Sequence, residues 1–472
     1  MTATPLPRAT PSAAGVDAAG VLAFVRALEA TPGIDPHSLM LLRGGRVVAE
    51  GWWAPYAADR AHLLYSLSKS FTSTALALAV GDGLVDLDGT VLGHFPELDA
   101  RIADPRSRRM LVRHVAAMAS GHRDDVVTRA LAADPDDLVH GFLSVPPDAD
   151  PGSLWAYNQP CTFTVGAVVQ RVTGGSLSAL LADRFPPFAA APTGWLTDRG
   201  GREIGWSGLH ATTETVAALG QLYLQDGVWE GRRVLPAGWV AEATRSHIST
   251  GQHPEGHQDW EQGYGFQFWM ARHGYRGDGA FGQYCIVLPE QDTVLAITSQ
   301  TPQMQSVLDL VWEYLLPALG AAGSPATDTD LAAHLEALVL PLPTSDGPID
   351  PAITGSFSAR DGNDQPGLTA VRLHPAGGGW TVGLVEGADT LTMTAREGAW
   401  TVTDAMATAV AGSGSDLQVD VVLVETPHRL SLFCHPGDGT FTARWQTVPL
   451  HNPPLRDLRL PDPARPATEF TR

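Results

Sequence analysis

The spacing of hydrophobic positions changes along this chain, and each change marks a different kind of element. Around Val16–Glu29 apolar residues recur every three to four positions, which predicts a helix. The run SLMLLRGGRVVAEGWW reads as two short strands about Gly44-Gly45, a hairpin signal. Ser66 to Val80 is apolar on most faces, so a buried helix is expected there, closed by Gly81. Between Arg101 and Arg171 helical pieces are broken by DP, PP and PG, and Thr213–Gln225 is an amphipathic helix stopped at Asp226-Gly227. The stretch from Gly263 to Gln300 alternates strand-like runs with turn signals, predicting about three antiparallel strands before an apolar helix over Met304–Leu316.

After that helix the period changes to two. GAAGSPATDTD and PLPTSDGPIDP flank a short helical run and together read as a linker. Beyond them WTVGLVEG, LTMTA, DLQVDVVLVE, RLSLFCH and TFTARWQ alternate, with Phe441, Ala443 and Trp445 on one face and Thr442, Arg444 and Gln446 on the other. Eight or so such strands predict a small antiparallel barrel or sandwich. The expected organisation is therefore an α/β body over 1–322, a linker over 323–345, a β-domain over 346–460 and a tail over 461–472. No internal repeat is evident.

Composition narrows the function classes. A chain of 472 residues with 44% hydrophobic and 17% charged residues has enough apolar material for more than one core. Its formal charge of −20 argues against a phosphate-binding surface, so no nucleic-acid partner is expected. No stretch approaches the roughly 20 apolar residues that span a bilayer, and the first 20 residues lack the apolar core of a signal peptide. Cys161, Cys285 and Cys434 are odd in number and far apart, which fits reduced thiols and a cytoplasmic setting.

One count points to chemistry. Of the 31 basic residues 30 are Arg, and the single lysine is Lys69. Arg keeps its charge in proteins, whereas a desolvated Lys can lose its proton and act as a base. Lys69 follows Ser66 by three positions, and on a helix such a pair shares one face. A serine at the head of a helix also lies in the positive field of the N-terminus. The arrangement is that of an activated nucleophile, in which the amine takes the hydroxyl proton as oxygen attacks an acyl carbon.

The run SLSKSFTSTALALAVGDGLVDLDGTV resembles the first motif of the serine β-lactamases and penicillin-recognising hydrolases, especially class C β-lactamases and their esterase relatives. VRHVAAMASGH is similar to a helix of that family, and PGSLWAYNQPCTFTVGAVVQRVTGGSL to its tyrosine-containing second motif, with Gln159 at the usual asparagine place. The resemblance runs over about residues 10–320. It implies the penicillin-recognising α/β body, with a mixed antiparallel sheet and a helical subdomain. It further implies catalysis by Ser66, Lys69 and Tyr157, with the tyrosine relaying protons. The third motif aligns with Gly277-Asp278-Gly279, where the family usually has Lys-Thr-Gly or His-x-Gly. Asp278 cannot bind a substrate carboxylate as that cation does, which argues against β-lactamase or carboxypeptidase work. Arg276 is expected on the opposite strand face. By analogy the N–H groups of Ser66 and Ala280 form an oxyanion hole, and Asn158, Gln159, Asp278 and Gly279 line the acyl group. The C-terminal strands resemble the lipocalin-like barrels appended to some family members.

Other strings carry less. GDGAFG is followed by a strand-like run, unlike a dinucleotide site, and GWSGL lacks the last glycine of a hydrolase elbow. His253, His257 and Asp259 read as a solvated loop rather than a metal site, because Pro254 and Gly256 disfavour a helix. Trp52, Trp53, Trp206, Trp260 and Trp269 read as packing groups, some of them walls of an apolar pocket. The reading is a serine hydrolase of esters or amides acting through a Ser66 acyl-enzyme on a small-molecule or peptide substrate, with no metal or organic cofactor implied. An acyltransferase or peptide cyclase of the same fold, and a retired binding module, are the alternatives.

Overall fold

The computed structural model describes residues 5–251, 257–347, 349–413, 415–451 and 453–462. Its first half is built on a six-stranded sheet. Strands β1 (Asp35–Arg43) and β2 (Arg46–Trp52) form the expected hairpin, and both turn glycines have positive φ, 57° and 72°. That conformation is what a two-residue turn between twisted strands requires. The rest comes from the far end of the body: β3 (Trp269–Met270), β4 (Tyr275–Gly279), β5 (Gln283–Leu288) and β6 (Thr293–Gln300). The sheet order is β2-β1-β6-β5-β4-β3, with β1 pairing β6 antiparallel, so strands from both ends of the first 320 residues meet at its centre.

Helices cover the sheet. Helix α1 (Ala18–Ala30), capped by the Asp17 side chain, buries Val21, Phe24, Val25 and Leu28. Helix α2 (Ser68–Gly81) is buried on every face from Ser68 to Ala79 and packs against α3 (Gln159–Thr173). It does not close at Gly81 as expected. The helix includes that residue, Asp82 caps it, and Gly83 at φ 71° makes the left-handed exit. An aspartate in a right-handed cap simply moves the glycine turn two residues on. Helix α4 (Thr213–Leu224) lies over β5 and β6. Residues 323–345 carry helix α5 (Pro325–Glu336), which docks on α1 and β2 and places Leu331 and Leu338 in the first core.

The period-two region forms a nine-stranded sheet: β7 (Gly355–Ala359), β8 (Leu368–Ala376), β9 (Gly379–Glu386), β10 (Asp389–Ala395), β11 (Thr401–Thr403), β12 (Met406–Ser413), β13 (Asp416–Leu423), β14 (His428–His435) and β15 (Thr440–Trp445). Its order is β10-β9-β8-β7-β15-β14-β13-β12-β11, with one parallel pair, β7 and β15. The sheet curls until its ends nearly meet: Thr408 Oγ1 on β12 donates to Thr394 O on β10. Phe441, Ala443 and Trp445 face its core while Arg444 is exposed, as the alternation predicted. The tail from residue 463 lies outside the described residues.

The two halves share an interface of buried histidines. His37 Nδ1 lies 3.1 Å from His62 Nε2, and His62 Nδ1 lies 3.0 Å from the Leu63 carbonyl. A carbonyl only accepts, so His62 donates from Nδ1 and His37 donates to its bare Nε2. Tyr56 stacks on His37 at 3.9 Å and donates to Thr426 O in the β-domain. Burial holds His62 down to about 3 and His210 and His428 down to about 4, with His37 also well below its ordinary value. Unfolding returns each to about 6.5, so the unfolded chain binds more protons and stability falls as pH drops from about 6.5 towards 4. Each pKa unit corresponds to about 1.4 kcal/mol. Asp125, Glu203 and Asp278, whose pKa values burial raises, act in the opposite sense but are fewer. The expected result is a denaturation midpoint in urea that is clearly lower at pH 4.5 than at pH 7. Replacing His62 by Gln should flatten that dependence, and an unchanged slope would contradict this account.

Candidate active site

Ser66 lies in a short 3-10 turn, Tyr65–Leu67, that leads directly into α2. The turn is held by Ser68 Oγ, which donates to Tyr65 O and accepts from Leu209 N. Tyr65 itself has φ 48°, a left-handed conformation uncommon for a bulky residue. Lys69 follows within the first turn of α2 and is buried, at 1% exposure. Its Nζ donates to Ser66 Oγ at 3.0 Å and to the Trp206 carbonyl at 2.8 Å. Burial lowers the ammonium to about 7, opposed by the Asp125 and Asp278 carboxylates. An amine poised there is a usable base near neutral pH.

Tyr157 ends the segment before α3, where Pro160 fits the helix's first turn. Its ring lies under the Lys69 ammonium, 4.7 Å from the centroid, and the Ser66 side chain is among the groups that act on its phenol. Trp269 stacks on the opposite side, with centroids 5.5 Å apart, and Tyr264 meets it edge-on. Burial raises the Tyr157 phenol well above its ordinary value, so it stays protonated and serves as a donor. Ser66, Lys69 and Tyr157 are therefore together.

The third segment, Gly277-Asp278-Gly279, is the end of β4. A methyl built on Gly277 would lie 2.4 Å from Ser70 Oγ, and one on Gly279 would lie 2.0 Å from the Leu64 carbonyl and 3.0 Å from Leu67 N. Both glycines thus face the nucleophile turn and let the strand lie flat on it. The chain then passes to Ala280 and to Phe281, at φ 68°. Asp278 faces the other way, and so does Arg276: the guanidinium Nε donates to Asp278 Oδ2 at 3.0 Å. Arg276 therefore lies on the face opposite to the one Gly277 turns to the nucleophile, and it meets Asp278 because alternate residues of a strand share a face. Arg276 is fully buried, donates to Asp259 O and lies over the Trp260 ring at 4.4 Å. Burial raises the pKa of Asp278, against the pull of Arg276 and Lys69.

Asn158 and Gln159 divide their roles. Asn158, expected at the acyl group, is fully buried and turned into the helical subdomain. Its Oδ1 accepts from Val126 N and its Nδ2 donates to Ser120 Oγ, so both ends of the amide are engaged within the protein. Gln159 is half-buried and its Oε1 has no hydrogen-bond partner. Its backbone N–H donates to Asp125, a carboxylate at the cleft that sequence reasoning passed over. Trp206 was weighed only as a packing group; its carbonyl is a partner of Lys69, supplied by the GWSGL run set aside as a failed elbow. Elsewhere, Asp259 is bound by Arg272, Gln305 and Trp312, and His253 lies outside the described residues. The three cysteines are buried, unbridged and pushed up to about 12 by burial. Among the described residues no single helix is long and apolar enough to cross a membrane.

The model of the beta-lactamase family matches residues 23–318, which span this whole constellation. The chain belongs to the beta-lactamase family. Within that family it is 28% identical over 301 residues to the 6-aminohexanoate-dimer hydrolase of Paenarthrobacter ureafaciens, covering 56% of this chain and 72% of that protein. It is 31% identical over 164 residues to the lovastatin esterase of Penicillium rubens, covering 30% of this chain and 41% of that one. Among solved structures EstCE1, described as a hydrolase with promiscuous acyltransferase activity, superposes with a TM-score of 0.52 at 16% identity, covering 64% of this chain and 99% of that one. The beta-lactamase-family body is thus that of a serine hydrolase, in a family that includes both an amide hydrolase and an esterase.

Proposed function

We propose that this enzyme cleaves carboxylic esters or amides of small molecules or peptides through a Ser66 acyl-enzyme. The observation that carries the reading is the 3.0 Å contact between Ser66 Oγ and a buried amine brought to about 7. In its neutral form Lys69 accepts the Ser66 proton as Oγ attacks the acyl carbon. The tetrahedral oxyanion is received by the N–H groups of Ser66 and Ala280, a reading supported by the close packing of Gly279 on the nucleophile turn. Tyr157, protonated and in contact with Lys69, passes a proton to the leaving group; water or another nucleophile then takes the acyl group by the reverse steps. The name of the 6-aminohexanoate-dimer relative supports an amide, that of the lovastatin relative an ester. The test is covalent: a fluorophosphonate should add one mass equivalent to the protein and none to Ser66→Ala. Labelling of Ser66→Ala at the wild-type rate would remove Ser66 from the mechanism. Transfer to an added amine or alcohol is the second reading, and product analysis with and without that nucleophile separates the two.

The charges also predict a pH profile. Acylation should rise with pH through a midpoint near 7, as Lys69 loses its proton. Asp278 raises the Lys69 pKa, so Asp278→Asn should move that midpoint down. The same carboxylate repels an anionic substrate group, so the variant should gain relative activity on carboxylate-bearing esters. Single-turnover acylation across pH 5–9 reads both effects, and an upward midpoint shift would contradict the influence of the Asp278 charge on the amine.

A further inference from the structure

The two left-handed aromatic residues of the site, Tyr65 and Phe281, flank its two halves. Tyr65 precedes Ser66, and Phe281 follows Ala280. Their rings meet edge-on at 5.2 Å, and one further ring touches both: His428, the first residue of β14, at 5.8 Å from Tyr65 and 5.3 Å from Phe281. His428 is fully buried, and its Nε2 lies 2.5 Å from the Tyr65 hydroxyl. Its Nδ1 lies 3.1 Å from the Thr447 carbonyl, which can only accept. The imidazole therefore donates from Nδ1 and presents a bare Nε2, to which Tyr65 donates.

The β-domain is anchored at this point. Leu63 N donates to Glu425 O at 2.8 Å, Tyr56 donates to Thr426 O at 2.9 Å, and Val422 and Val424 belong to the core of the body. Left-handed conformations at bulky residues persist only where the surroundings enforce them. The geometry points to His428 as a positioning residue for the reaction, through which the C-terminal β-domain holds the nucleophile turn at Tyr65 and the Ala280–Phe281 turn in register. This rests on the Ser66 reading above and assigns the β-domain a part in the acylation step. His428 does not touch the reacting atoms; it acts through Tyr65 and Phe281. Small displacements of reacting groups cost large factors in rate, about 10²-fold for 1 Å.

The experiment is single-turnover acylation by p-nitrophenyl acetate, with active sites counted by fluorophosphonate labelling. His428→Phe retains a ring but no acceptor, and Tyr65→Phe removes the same bond from the other side. Each is expected to lower the acylation rate constant per active site by about 10- to 100-fold with the half-saturating ester concentration unchanged. The double variant should lose no more than the worse single one, and His428→Gln, which offers an acceptor near the Nε2 position, should recover part of the rate. A merely structural contact would lower the unfolding temperature and leave the rate per labelled site intact, and that result overturns the proposal. So do losses that multiply in the double variant. Should His428→Phe fail to fold, Tyr65→Phe decides alone, because it leaves every β-domain side chain in place. Ser66→Ala is the separate arm: wild-type turnover there removes the nucleophile reading, whereas labelled Ser66 with unaffected His428→Phe and Tyr65→Phe removes only this inference.

Discussion

Lys69→Arg is expected to abolish acylation of Ser66 although it preserves a positive side chain. The guanidinium could still donate to Ser66 Oγ and to the Trp206 carbonyl, but at neutral pH it has no lone pair with which to take a proton. Lys69 is held to about 7 by burial, whereas Arg remains charged in any protein setting. General-base assistance is typically worth about 10²–10⁴-fold, and the larger planar group would also press on Ser66 from a position that is buried. The rival account makes Lys69 a fixed charge and Tyr157 the base. It faces the raised pKa of the buried Tyr157 phenol, which keeps the proton on at the pH of interest. The two accounts differ in their variants: under the rival, Lys69→Arg retains much of the acylation rate and Tyr157→Phe loses it. Single-turnover acylation of both settles the matter, and a near-wild-type Lys69→Arg enzyme would falsify the assignment of the base.

Lys69 was legible in the sequence because composition isolated it. A single amine among 30 arginines, three residues after a serine, needs no tertiary information to be singled out. The alternation of Phe441, Ala443 and Trp445 was equally local, since a strand's two faces are written in every second residue. What the chain did not reveal is what depends on distant segments meeting. Trp206 contributes a backbone carbonyl, which any residue could supply, so its side chain gave no signal. Asp125 reaches the site only because α3 begins beside it, and its carboxylate accepts the Gln159 N–H. Arg276 is one position from Gly277 and two from Asp278, so the spacing gives its face, but not the buried ion pair it makes there with Asp278. His428 lies 362 residues from Ser66, in a segment that reads only as the start of an alternating strand. Its meaning arises from the docking of the β-domain, which no local period encodes.

The glycines of the third motif carry the remaining large effect. Gly279→Ala should reduce acylation by about 10²-fold or more and destabilise the fold by about 1–3 kcal/mol. Its φ is an ordinary one, so the substitution introduces no backbone strain of its own. The obstacle is space: the new methyl would lie 2.0 Å from the Leu64 carbonyl and 3.0 Å from Leu67 N. Neither neighbour is the end of a flexible side chain. Leu64 O accepts the Leu67 N–H across the turn that contains Ser66, so moving it would undo the turn. β4 would have to lift instead, carrying Ala280 away from the nucleophile and Asp278 away from Lys69. The rate and the pH profile should therefore change together, with the acylation midpoint moving down as Asp278 recedes. Gly277→Ala presses on the side chains of Ser70 and Leu67, at 2.4 and 2.5 Å, rather than on backbone, so it should cost less. Measuring acylation rate, its pH midpoint and urea denaturation for both variants tests the geometry: a Gly279→Ala enzyme with wild-type rate and stability would mean that β4 does not rest on the nucleophile turn.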